Sequence, residues 1–140
     1  MRQPFDILLV EDNKRDAEIL VELFRSIPMC HDVIRTTTKQ EALKTLQDVN
    51  KIGLIICDYY TDSLNANPSK LIAEANKNQI PFIFLTGHNS VEDSINAIKL
   101  GAVCYIEKPL TSADIVSIVT AIDFFSLEIV DTRRILNIKP

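Results

Sequence analysis

Residues 52–62 read IGLIICDYYTD. Four apolar residues, Leu54 to Cys57, lead into a carboxylate, Asp58, and two tyrosines follow it. The run is of strand length and does not alternate. That is the pattern of a strand covered on both faces, as in a parallel sheet. Working outward, four more runs have strand length: FDILLV (5–10), DVIRT (32–36), PFIFLT (81–86) and VCYI (103–106). Of the five, four are apolar almost throughout.

Segments with helical period lie between them. Ala17, Leu20, Val21 and Phe24 fall on one face behind Asn13, a candidate N-cap with Asp16 three residues on. Thr38 and Glu41 make a capping box ahead of Ala42, Leu43 and Leu46. Leu71, Ile72 and Ala75 follow Pro68, which suits a first helical turn. Val91, Ile95 and Ile98 follow Ser90, and Gly101 stands where a helix end takes a left-handed residue. Thr111 and Asp114 precede a long helix carrying Ile115, Ile118, Val119 and Ile122. A strand and a helix thus alternate through five repeats. With right-handed crossovers this predicts an α/β fold: a doubly wound, flavodoxin-like (βα)5 sandwich with a parallel sheet in the order 2-1-3-4-5.

The bulk numbers fit one domain. The 140 residues are enough for a single core, and 46% apolar with 24% charged content is ordinary for a globular chain. A net charge of 15 − 19 = −4 gives no electrostatic reason to expect nucleic acid or an anionic membrane as partner. The basic cluster of Arg133, Arg134 and Lys139 reads as a solvated tail. No apolar run approaches the ~20 residues of a membrane span, and MRQPFD carries no secretory signal region. Cys30, Cys57 and Cys104 are odd in number and lack C-x-x-C spacing, so neither a disulfide framework nor a zinc site is indicated. Cys57 and Cys104 read as small core residues, and a reducing, cytoplasmic location is expected.

In such a sheet, ligands bind at the carboxyl ends of the strands near the point where strand order reverses. Glu11 and Asp12 follow the first strand, Asp58 the third, Thr86 and Gly87 the fourth, and Glu107, Lys108 and Pro109 the fifth. The predicted order crowds Glu11, Asp12 and Asp58 together, with Thr86 and Lys108 on the flank. Carboxylates this close repel one another unless a cation is present, and magnesium suits an all-oxygen set with waters. Lys108 adds a point charge for a phosphate oxygen and Thr86 a hydroxyl donor. This is the equipment for phosphoryl transfer to a carboxylate. An acidic pair could merely cap a helix, and Lys-Pro alone means little; four strand ends agreeing is what points to a site.

Taken in order, these segments resemble the receiver domain of two-component response regulators. ILLVEDN (7–13), LIICDYY (54–60), FIFLTGH (82–88) and GAVCYIEKPL (101–110) carry the resemblance, which covers about residues 5–125. It implies a stand-alone receiver, 1–125, followed by a C-terminal extension, 126–140, that continues helix five or forms a tail. By resemblance, Asp58 accepts a phosphoryl group from a sensor histidine kinase or a histidine phosphotransfer protein. Asp12, Asp58 and the backbone carbonyl of Tyr60 would bind Mg2+, with Glu11 acting largely through water. Lys108 would contact the phosphate, with a cis peptide before Pro109. Thr86 and Tyr105 would be the switch, remodelling the face of helix four, strand five and helix five. Tyr60 and His88 would line the pocket rim.

The sequence also departs from that family's pattern. YYTDSLNANPS (59–69) lacks the usual Met-Pro and glycine after the acceptor, so the loop must turn differently, with Asn65 or Asn67 available for left-handed angles. The apolar run 115–130 exceeds what one helix face buries, which predicts a homodimer or a downstream protein target on that face. The rival reading is a pseudo-receiver, the same fold acting as a phosphorylation-independent interaction module. An enzyme with turnover on another substrate is not expected. EDNKR lacks the D-x-D-x-T of haloacid-dehalogenase phosphatases, and three scattered glycines make no nucleotide loop.

Overall fold

The computed structural model describes residues 4–48, 51–59, 68–87 and 90–135, with side chains as far as residue 123. Among them, strands and helices alternate as β1 (Phe5–Val10), α1 (Lys14–Arg25), β2 (Cys30–Thr36), α2 (Lys39–Asp48), β3 (Ile52–Asp58), α3 (Ser69–Lys77), β4 (Phe82–Thr86), α4 (Val91–Lys99), β5 (Cys104–Glu107) and α5 (Ser112–Ile135). All pairings are parallel and the order is β2-β1-β3-β4-β5. This is the doubly wound sheet the sequence predicts.

The period of two along each strand sorts the core into two layers. Leu8, Val10, Ile55, Cys57, Phe82 and Phe84 pack against Ala42, Leu46, Leu71, Ile72, Ala75 and Ala97 on one side. Ile7, Leu9, Leu54, Ile56, Ile83 and Leu85 pack against Leu20, Phe24, Ile118 and Ile122 on the other. Every residue of β1 and β4 is buried, whereas the edge strands β2 and β5 are only partly so. Parallel strands without a wet face require this.

The predicted caps form. Asn13 Oδ1 accepts from the Asp16 N–H at 2.9 Å, Thr38 Oγ1 from the Glu41 N–H at 3.0 Å and Ser90 Oγ from the Asp93 N–H at 3.3 Å. Thr111 and Asp114 reciprocate: the Thr111 N–H donates to Asp114 Oδ2 at 2.7 Å and the Asp114 N–H to Thr111 Oγ1 at 3.3 Å. Gly101, at φ +108°, stops α4. Pro68 sits one position outside α3, as its cap residue.

Helix α4 corrects one expectation. Its apolar stripe, Val91, Ile95 and Ile98, faces outward at 77%, 48% and 52% exposure. The inward row is instead Asp93, Ala97 and Leu100, of which Ala97 is fully buried. Period identifies a stripe; it does not say which stripe faces the sheet, and here small Ala97 allows the closer approach. His31 on β2 lies at the surface, and a smaller correction concerns Cys104, expected in the core. The His31 ring is exposed, but its Nδ1 lies 3.0 Å from Oδ1 of nearly buried Asp6. Cys104 is half-buried against the core on the α1 and α5 side. Helix α5 carries the backbone of residues 126–135 onward from the sheet. The side chains of residues 124–135 lie outside those described.

Candidate functional site

The site grows from the ends of the two central strands. Beyond β1, the Glu11 N–H donates to the Thr36 carbonyl at 3.0 Å, extending the ladder by a residue and turning the Glu11 side chain inward, where it is 1% exposed. Asp12, next along, is exposed. Asp58 ends β3 with its side chain 15% exposed. One carboxylate oxygen from each of Glu11, Asp12 and Asp58 lies within 4.8 Å of the others. The neighbouring pair of β1 and β3 therefore brings together the three acids the sequence predicts.

Lys108 reaches this group from β5. Its N–H donates to the Thr86 carbonyl at 2.7 Å, continuing the β4–β5 ladder and setting the side chain's origin. Its ammonium donates to Asp58 Oδ2 at 2.9 Å, to Glu11 Oε1, and to Asp16 Oδ2 at 3.2 Å. The Lys108–Pro109 peptide is cis. Thr86 is fully buried at the end of β4, paired in register with Glu107, while Asp58 pairs with Leu85.

Charge and burial compete here. Burial pushes the Glu11 carboxyl up to about 7; the Asp58 carboxylate adds to this, while Lys108 and the Asn13 N–H pull against it. Burial alone would lower the Lys108 ammonium, but its hydrogen bonds to Glu11 and Asp58 outweigh it and raise the group above its ordinary value. Lys108 is thus a fixed positive charge inside an acidic pocket. Glu11 contacts it directly.

The aromatic side of the site sits behind Asp58. Tyr105 on β5 faces Tyr59 edge-on with centroids 5.7 Å apart, and Tyr59 meets Phe84 at 5.1 Å. The Tyr105 hydroxyl is buried without a hydrogen-bond partner among the described residues. Burial raises the Tyr59 phenol, with the Asp93 carboxylate of α4 adding to it and Asn96 opposing. Tyr60, His88 and the loop containing Asn65 and Asn67 lie outside the described residues.

Three residues of the site escape sequence reasoning. Asp16 is readable only as part of a cap. Arg35 on β2 donates from Nε to the Glu11 carbonyl at 3.2 Å and from Nη2 to the Asp12 carbonyl at 3.3 Å, clamping the backbone of the acidic pair. Its place at the end of an edge strand beside β1 was the available signal. Tyr59 follows from its place next to Asp58, but a period-two pattern says nothing of its ring contacts.

A half-buried lysine among carboxylates at the switch point of a 2-1-3-4-5 sheet defines a class: a doubly wound domain with an acidic pocket at the carboxyl ends of its strands. The comparisons specify it. The sequence profile of the response regulator receiver domain matches residues 7–120, and this chain belongs to that family. The two-component response regulator PprB of Pseudomonas aeruginosa is 28% identical over 115 residues, 79% of this chain and 41% of PprB. The chain spans only 23% to 49% of the length of several such relatives. Among solved structures, a response regulator receiver domain protein from Clostridium thermocellum shares 26% identity at a TM-score of 0.72, over 88% of this chain and 98% of that one. A response regulator from Burkholderia pseudomallei, solved with a phosphorylated aspartic acid and a calcium ion, shares 26% identity at a TM-score of 0.68, over 95% of this chain and 75% of that one.

Proposed function

We propose that Asp58 is a phosphoacceptor: an oxygen of its carboxylate attacks the phosphorus of a phosphohistidine on a sensor kinase or phosphotransfer protein. The new O–P bond forms as the P–N bond breaks, its electron pair passing to the ring nitrogen. The observation that carries this reading is the Lys108 ammonium 2.9 Å from Asp58 Oδ2, held in place by Glu11. It offsets charge on the transferring group where the acceptor oxygen sits. Support also comes from the Burkholderia relative, whose structure holds a phosphorylated aspartic acid.

The donor set fits a hard divalent cation: three carboxylate oxygens within 4.8 Å of one another, one buried, one half-buried and one exposed to water. Asp12 and Asp58 would hold Mg2+ directly, with Glu11 beside them and the Tyr60 carbonyl as the further ligand. When bound, the ion offsets negative charge on the transferring phosphoryl group. Arg35 keeps the backbone under Glu11 and Asp12 in place for it.

Thr86 and Tyr105 carry the signal in this reading. New charge on Asp58 draws the Thr86 hydroxyl, and the Tyr105 ring, whose hydroxyl lacks a partner among the described residues, follows behind it. The face of α4, β5 and α5 then changes for a second copy or a downstream protein. Among the described residues no helix is long and apolar enough to cross a membrane; we place this relay in the cytoplasm.

The test is direct. Incubated with phosphoramidate or acetyl phosphate and magnesium, the chain gains the mass of one phosphoryl group, and Asp58→Asn does not. Labelling that survives the substitution refutes Asp58; no labelling with any donor leaves the pseudo-receiver as the function.

A further inference from the structure

Lys108 has three N–H donors, and the three contacts of its ammonium are to three carboxylates: Glu11, Asp58 and Asp16. A phosphoryl oxygen on Asp58 needs one of those donors, so one carboxylate must yield. Glu11 is sealed in, at 1% exposure, and Asp58 is the acceptor itself. Asp16 is different: its contact is the longest at 3.2 Å, and its side chain is 44% exposed. Released, it returns to water at little cost.

The first turn of α1 explains why Asp16 is in reach. Asn13 caps the helix through the Asp16 N–H, fixing that residue at the third helical position. A carboxylate there is favourable for the helix alone. Its oxygen nonetheless points at Lys108, whose position is set from β5, 92 residues away in the chain. Beside the contact lies a cavity of about 360 Å³ lined by Ile19, Leu20, Leu23, Gly87, Pro109 and Leu110, with Asp16 and Lys108 as its charged members. The Asp16 side chain can therefore leave Lys108 without moving backbone.

We infer that Asp16 is a positioning residue that holds the third donor of Lys108 until the phosphoryl group displaces it. Its charge also discriminates among donors, opposing small, free phosphoanions in proportion to their charge. A protein-borne phosphohistidine, seated by its own contacts, bears this opposition more easily. The inference rests on Asp58 being the phosphoacceptor. Asp16 exchanges no proton and forms no bond to phosphorus; it acts through Lys108 and through the field at the pocket mouth.

The experiment compares labelling rates of wild type, Asp16→Asn, which keeps an acceptor oxygen without the charge, and Asp16→Glu. Two small donors are used, acetyl phosphate (a dianion at neutral pH) and phosphoramidate (a monoanion). A like charge a few ångströms away in a water-like medium is a factor of roughly three per unit of donor charge. Asp16→Asn should therefore speed phosphoramidate labelling roughly 3-fold and acetyl phosphate labelling roughly 10-fold. Asp16→Glu should restore the wild-type ratio of the two, and about 1 M salt should shrink the difference, because screening then acts within about 3 Å. A merely structural role would change both donors alike. Wild type that labels while Asp16→Asn leaves both rates, or their ratio, unchanged overturns this inference alone. Wild type that never labels overturns the phosphoacceptor reading and takes this inference with it.

Discussion

Glu11 is the residue where burial and charge oppose each other most strongly. Its folded pKa, about 7, stands above the ordinary carboxyl value of 4.5. Below 4.5 both folded and unfolded chains are protonated there and the fold keeps its full stability. Between 4.5 and about 7 the unfolded chain ionises first, so stability falls as pH rises; above about 7 the loss is complete. Glu11→Gln is neutral throughout. In metal-free buffer, denaturant melts should find the variant gaining on wild type from pH 5 to pH 8, by up to roughly 3 kcal/mol. A constant difference across that range would mean that the fold does not raise the Glu11 carboxyl above its ordinary value. Strand-end chemistry made Glu11, Asp12, Asp58, Thr86 and Lys108 readable in the sequence, because each follows an apolar run. Asp16 was not, since a first-turn aspartate has the same local signature whether it serves a cap or a lysine 92 residues away.

At the scale of elements, the strands were readable because a parallel sheet buries both faces and leaves an unbroken apolar run. One close fit inside them was not. Gly53 on β3 lies so near Phe5 that an added Cβ would stand 2.6 Å from the Phe5 Cβ, which cannot swing away as a side-chain tip could. Gly53→Ala should destabilise the fold by about 1–3 kcal/mol, read as a lowered denaturation midpoint with an unchanged slope. An unaffected midpoint would show that β1 and β3 can part locally. Helix boundaries followed from caps such as Asn13, Ser90 and Gly101, whereas the facing of α4 did not. Amphipathic period is measured about a helix's own axis, and only the neighbours decide which stripe is buried.

For the whole molecule, that facing leaves Val91, Ile95 and Ile98 in water on α4, with Val116 of α5 exposed at 66%. A chain of net charge −4 carrying an apolar patch on a predicted switch face has a reason to self-associate when that face changes. With magnesium and beryllofluoride as phosphoryl mimic, light scattering should show the wild type as a dimer and Ile95→Glu as a monomer of unchanged melting behaviour, since the site is already solvated. A wild type that stays monomeric with and without the mimic removes the homodimer and leaves the patch to a different protein. The order of the strands has one more effect, on the timing of synthesis. Glu11, Asp12 and Asp58 come together once β1 and β3 pair, but Lys108 follows β5 and is translated fifty residues after Asp58. Chains leave the ribosome amino end first and begin to organise as they do. A sheet that pairs β1 with β3 in that interval would gather the three acids before the lysine that offsets their charge exists.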